Sequence, residues 1–401
     1  MAVAATNPST NLTYTNEPVD TKGLWLRNRR WDLMYITFSA IVVPLPYIVY
    51  LIAHHFGGIE SDVARNAVNA FVAIAVGGPH MMSTFLRTGL DTDFKQRYPM
   101  LLRSSVIIPI VVVSLAFLNL TLLLTVFFFW AALHVLHQVT YIVELYNHKE
   151  HHHVRRGSAV SLPARLIDYG VILTCLFPMA AYKISQGSFD IGVNDLTRVI
   201  PVFFQQAWFF YVMASVFAAA CIAFFAKSVL EYRNGLLNMP KTVFILFTIV
   251  IAFIMPALPN LDTAFQGLNT WHSFQYLAIT FYIIKIKQAY GQLDDKAPLV
   301  ARFSKSSKDS RGLYFLSAVM LLGSAFVFAI VYFIAHFVTP GYLDLSAPNA
   351  LTNWRFDVAY YTSILSFLWI HYYHDHFLFT DFEALEGAYY GDTPAVEKSA
   401  A

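Results

Sequence analysis

The chain has 401 residues, of which 57% are hydrophobic and only 13% charged, with a mean hydropathy of +0.51 and a formal net charge of +2. A soluble domain is usually about 25% charged, so this composition excludes an ordinary soluble enzyme and describes a chain solvated mainly by lipid. The small net charge gives no reason to expect a nucleic-acid partner, and the two cysteines, Cys175 and Cys221, both inside apolar stretches, exclude a disulfide framework and a cysteine-ligated zinc or iron–sulfur site.

Residues 1–30 read as a polar N-terminal tail without the apolar stretch of a cleavable signal peptide. A membrane span needs about 20 mainly apolar residues. Ten runs between 31 and 382 qualify: roughly 33–53, 64–86, 104–117, 120–146, 164–182, 201–226, 242–258, 261–284, 313–337 and 356–379. The third and fourth meet at Asn119, and the seventh and eighth around Pro256 and Pro259, both reading as tight hairpins. Residues 383–401 form a polar C-terminal tail. Lys and Arg concentrate before span one and after spans two, four, six and eight, while the alternate loops carry few. By the positive-inside rule the chain is an all-α, polytopic bundle of about ten transmembrane helices with both termini cytoplasmic, as in a bacterial inner membrane. Every even-numbered span then runs from outside to inside.

Fourteen histidines occur, and about half lie inside these runs. Imidazole is costly in hydrocarbon unless it faces the bundle interior, and neutral imidazole is the commonest metal ligand. His80 lies in span two, His134 and His137 in span four, His272 in span eight, and His371, His374 and His376 in span ten. All four spans are even-numbered, and each candidate is about 8–20 Å from the cytoplasmic end at 1.5 Å per residue. The histidines therefore share a depth, which points to one intramembrane metal or haem centre. His134/His137 and His371/His374 are i,i+3 pairs, as used in bundle-core metal sites. Gln138, Gln275 and Asp375 are placed to orient ligands, and Pro79 loosens the helix beside His80. His54, His55 and His336 end spans on the outer side and read as interfacial. His148, His151, His152 and His153 form a second cluster at the cytoplasmic end of span four. Its H-x-x-H-H form matches a box of di-iron desaturases and hydroxylases, and it also reads as a wet loop end.

At the intramembrane motifs the chain resembles the Brp/Blh family of membrane β-carotene 15,15′-dioxygenases. That family's first motif is Gly-x-Pro-His, matched by Gly77-Gly78-Pro79-His80 without the acidic residue next to it in the family. Its second is a histidine near the middle of a span, which His134 or His137 fills. Its third is His-Ser, matched by His272-Ser273, with Tyr276 where a second histidine is common. Its last is a histidine five residues before Asp-Phe, matched by His376 with Asp381-Phe382, with His371 the competitor. The motif order agrees. The resemblance implies a polytopic fold with one iron held by histidines from separate helices, and bears on iron-site architecture more than on substrate.

The sequence is thus read as a membrane oxidoreductase with a non-haem iron site, acting with O₂ on a lipophilic substrate such as a carotenoid, another isoprenoid or an acyl chain, with an electron donor as a further partner. Two histidines on facing helices could instead hold haem b for electron transfer. A di-iron desaturase or hydroxylase, and a proton-coupled transporter, are the remaining alternatives.

Overall fold

Breaks between helices fall where the sequence places asparagine and proline. The computed structural model describes residues 23–153, 160–192, 194–343, 350–380 and 382, with the side chains of His152 and His153 outside that set. Asn119 alone separates two helices; its side-chain oxygen accepts from the Leu122 amide at 3.0 Å, satisfying one of the donors that a helix start leaves open. Pro256 and Pro259 flank the next such joint. There Asn260, in the left-handed region at φ 50°, turns the chain into the following helix.

The long helices are α1 (Arg29–Phe56), α2 (61–87), α3 (Pro99–Leu118), α4 (Leu120–His153), α5 (Leu162–Ser185), α6 (Ala207–Arg233), α7 (Met239–Ala257), α8 (Leu261–Ala289), α9 (Arg311–Ala335) and α10 (Ala350–Leu378). Seven of them, α1, α3 to α7 and α9, are long and apolar enough to cross a membrane. The others, α2, α8 and α10, are comparably long but more polar. They are also the helices that carry His80, His272 and His371, together with Arg65, Asp262 and Asp357.

Burial orders the helices from centre to rim. Most of α8 is buried, including Trp271, His272, Gln275 and Tyr276, so it runs through the middle of the bundle. By contrast α6 exposes Ile222, Phe225 and Val229, as a rim helix facing lipid does. A Cβ at Gly267 would lie 2.0 Å from the Val43 carbonyl oxygen, so α1 and α8 touch through their backbones. One apolar cluster joins α1, α4, α7 and α8 through Ile36, Leu136, Phe244 and Trp271. A second joins α3, α4 and α10 through Val112, Leu124 and Trp369. The α5–α6 connection, which carries a two-residue strand pair (Asp190–Ile191 with Asn194–Asp195), seals the second cluster with Phe189 and Leu196.

At one end of the bundle four helices are tied by buried charge. Asp168 of α5 meets Lys227 of α6 at 2.6 Å and Lys241 of α7 at 3.4 Å. The Lys241 ammonium also donates to Asn147 of α4 at 2.8 Å, and Asn238 donates to Glu150 at 3.0 Å. Buried charges persist only when paired in this way.

Candidate metal centre

His80 reaches the interior because α2 is irregular above it. Residues Ala73–Gly77 form a π-helical turn, and Pro79 has no amide to offer the Ala75 carbonyl four residues back. The Tyr314 hydroxyl of α9 donates to that carbonyl at 2.6 Å. A Cβ at Gly78 would lie 2.7 Å from the Ala73 carbonyl oxygen of the same helix and 2.7 Å from the Leu321 side chain of α9, so glycine suits this irregular turn. The widened turn sets the rotation of His80, which is 1% exposed.

Four helices then deliver four imidazoles to one point. One ring nitrogen from each of His80, His134, His272 and His371 lies within 4.8 Å of the others. The rings form a closed circuit. His80 is 4.6 Å from His272 and 4.4 Å from His371, and His134 is 4.9 Å and 4.8 Å from the same two, centroid to centroid. All four are buried. Neither nitrogen of His80 or His272 has a conventional hydrogen-bond partner, although the Gly77 carbonyl faces the His80 ring. Nε2 of His134 and Nε2 of His371 also lack a hydrogen-bond partner. Orphaned polar atoms of this kind are rare in a packed interior, and here they converge.

One turn further along each helix stands a second layer. Thr84, Gln138, Tyr276 and Asp375 each lie four residues beyond a clustered histidine and are all buried. Thr84 Oγ1 lies 2.5 Å from His371 Nδ1, and Asp375 Oδ2 lies 3.3 Å from the same nitrogen. Asp375 Oδ1 accepts from Tyr276 at 2.6 Å and from Thr84 at 3.0 Å. This arrangement occupies His371 Nδ1 and leaves Nε2 for the centre, as carboxylate partners of metal-bound histidines do. Gln138 donates to the His272 carbonyl at 3.1 Å and to Gln275 at 3.2 Å, and Gln275 donates to Ile36 O at 2.8 Å. The two glutamines therefore fix α1, α4 and α8 by the main chain rather than by the imidazoles. Because the two layers come in the same order on α2, α4, α8 and α10, these four helices run in one direction.

The remaining candidates lie elsewhere. The His374 ring is turned away from the cluster, with Nε2 3.0 Å from Leu101 O and Nδ1 3.3 Å from Thr88 Oγ1, so both its nitrogens are engaged. His137 and His376 stand 5.2 Å apart in a groove beside the centre. An i,i+3 pair differs by about 60° around a helix, which lets His134 and His371 point inward while His137 and His374 do not. His148 stacks on Phe382 at 4.5 Å. Since α4 is unbroken, His151 lies about 26 Å along the axis from His134 at 1.5 Å per residue, and the described part of the second histidine cluster does not join the first. Asp381 and the side chains of His152 and His153 lie outside the described residues. Thr84 was not singled out from the sequence, and Tyr276 only as a departure from the family motif; their four-residue offset from His80 and His272 is the signal that marks them.

The donors fit a single ion. With bonds of about 2.1 Å, donors around one metal would stand about 3.4 Å apart at tetrahedral angles, so the observed cluster, within 4.8 Å, would contract to close on an ion. An all-imidazole set suits zinc, copper, iron and nickel. It does not suit a haem held between two of these rings, because the other two occupy the space of the macrocycle. The groove beside the centre holds about 670 Å³ between α4, α5 and α10. Its wall is largely aromatic, with Trp130, Tyr141, Tyr372 and Phe379, and it reaches His134 directly. Comparison with protein-family models, with curated proteins and with solved structures finds no match to this chain.

Proposed function

We propose that this chain is a ten-span membrane oxidoreductase in which His80, His134, His272 and His371 hold one non-haem iron and a lipophilic substrate reaches it through the aromatic groove. The observation that carries the reading is the convergence of four buried imidazoles whose inward nitrogens have no other partner. A metal bound there supplies redox chemistry with O₂.

The chain's own residues do the rest. Asp375 and Thr84 fix His371 with Nδ1 outward and Nε2 toward the ion. Tyr276 holds Asp375 in place through its hydroxyl. Tyr372 stacks on His134 at 4.1 Å and Phe379 at 5.7 Å, which orients that ring and excludes water where the groove meets the centre. The groove opens laterally between helices and exposes Leu133, so a carotenoid, another isoprenoid or an acyl chain could pass in from lipid. The common direction of α2, α4, α8 and α10 supports spans that alternate along the chain, and the positions of Lys and Arg put both termini in the cytoplasm.

The test is metal analysis and an optical spectrum of the purified protein, followed by incubation with isoprenoid and acyl substrates under ¹⁸O₂. About one iron per chain, no Soret band and label in an oxidised lipid are expected. A Soret band would favour the haem reading, and absence of any tightly held metal would remove the proposal.

A further inference from the structure

On the side of the histidines away from Thr84 and Asp375, three helices carry polar stripes that lead down to the cluster. Arg65 of α2, Asp262 of α8 and Asp357 of α10 stand at the top, 15, 10 and 14 residues before His80, His272 and His371. Asn69, Gln266, Asn269 and Tyr361 continue the stripes inward at helical spacing. All seven keep part of their surface accessible, whereas the three histidines below them are at most 2% exposed.

The stripes face one another. Asn69 donates to Asp262 at 3.0 Å, and Arg65 lies 3.4 Å from the same carboxylate. Arg65 is also within electrostatic reach of Asp357, and Asp262 of Tyr361. Lower down, Asn269 donates to Gln266 at 3.1 Å, and its amide nitrogen lies 3.0 Å from where a Cβ on Gly77 would sit. Gly77 thus lets α2 and the Asn269 side chain of α8 approach closely three residues above His80. Asn69 Oδ1 and Asp262 Oδ1 have no protein partner. Buried polar atoms left without a protein partner within a membrane call for water or an ion nearby, and the seven side chains above keep the accessible surface at which it would sit. Charge sets a preference. Asp62, Asp262 and Asp357 surround the single guanidinium of Arg65, with Asp62 at 3.0 Å from it. Carboxylates outnumber cations, so a positive ion is favoured.

We propose that these stripes enclose a water-filled funnel from the non-cytoplasmic face to the histidines, through which small hydrated cations, divalent metal ions among them, reach the centre. The path from Asp262 to His272 is about 15 Å at 1.5 Å per residue. The destination rests on the reading of the histidines as a metal site; the funnel itself does not. Polar cations and lipophilic substrate then arrive by separate routes, since the aromatic groove opens on α4, α5 and α10.

The test is thiol labelling of the full chain in sealed vesicles of either orientation, with Cys175→Ala and Cys221→Ala removing the native thiols. Gln266→Cys and Asn269→Cys are probed with membrane-impermeant methanethiosulfonates, one bearing trimethylammonium and one sulfonate. Leu268→Cys, at a position 2% exposed, is the control. Both funnel positions should label only from the non-cytoplasmic side, about tenfold faster with the cation, in the range of electrostatic steering. Asp262→Asn should narrow that ratio at Asn269→Cys. Failure to label at both funnel positions, labelling from the cytoplasmic side alone, equal or faster reaction with the anion, or equal labelling of Leu268→Cys would each overturn the proposal. Labelling is scored beside metal content. A funnel that labels as expected in a protein that never binds metal would sink the metal reading and leave the funnel standing.

Discussion

Replacing Asp375 with asparagine is the sharpest probe of the layer beneath the histidines. The side chain keeps its size, and one oxygen can still accept from Tyr276 and Thr84, now at 2.6 and 3.0 Å. The other oxygen becomes an amide nitrogen facing His371 Nδ1 at 3.3 Å and His134 Nε2 at 3.8 Å. If His371 presents Nε2 to a metal, its Nδ1 carries the proton, and a second donor is set against it. Flipping the amide moves the conflict to Tyr276 and Thr84. Loss of such an outer partner typically costs 10–100-fold in metal affinity, or about 1.4–2.7 kcal/mol at 1.36 kcal/mol per decade. The assay is competition with a chelator of known affinity on purified protein, with circular dichroism confirming retained helix. Thr84→Val should shift affinity in the same direction by less, because Asp375 still faces the imidazole. Affinity within twofold of the parent for Asp375→Asn would refute the assignment of Asp375 as the group that orients His371.

The geometry sets three other outcomes. His272→Ala should lose bound metal, whereas His374→Leu should keep it and cost only about 0.5–1.5 kcal/mol, since Ser104 still donates to Leu101 O; metal content and thermal unfolding in detergent separate the two. Asp168→Ala strips the shared carboxylate from Lys227 and Lys241 and should destabilise by about 3–5 kcal/mol, against about 1 kcal/mol or less for the exposed Lys305–Asp294 pair. Joint replacement of His151, His152 and His153 by glutamine should leave metal content unchanged. Loss of metal there would restore the di-iron alternative.

Hydropathy and the positions of Lys and Arg were enough to place the helices and to suggest that α2, α4, α8 and α10 share a direction, because both signals are long-range averages over whole segments. The depth of the histidines came from the same averages. Rotation did not. Whether His134 or His137 faces inward depends on about 60° of helix turn. Proline or glycine can hint at an irregular turn, as Pro79 does, but residue counting does not say how far that turn rotates the rest of its helix. The π-helical turns at Asp32–Thr37, Ile52–Phe56 and Ala73–Gly77 are such places. Tyr276 was noticed only as a departure from a family motif, and its bond to Asp375 of α10 joins residues 99 positions apart. No local pattern carries that information.

The helices that fall short on apolarity have a consequence for how the chain is made. A translocating segment partitions into lipid by its own composition, and α2, α8 and α10 carry the charges and imidazoles that oppose this. Each therefore depends on neighbours already in place, and α10 follows the other nine long helices in the chain. His371 arrives with it. The quartet of imidazoles closes only once α10 has been made, so nascent chains arrested before α10 hold no complete site.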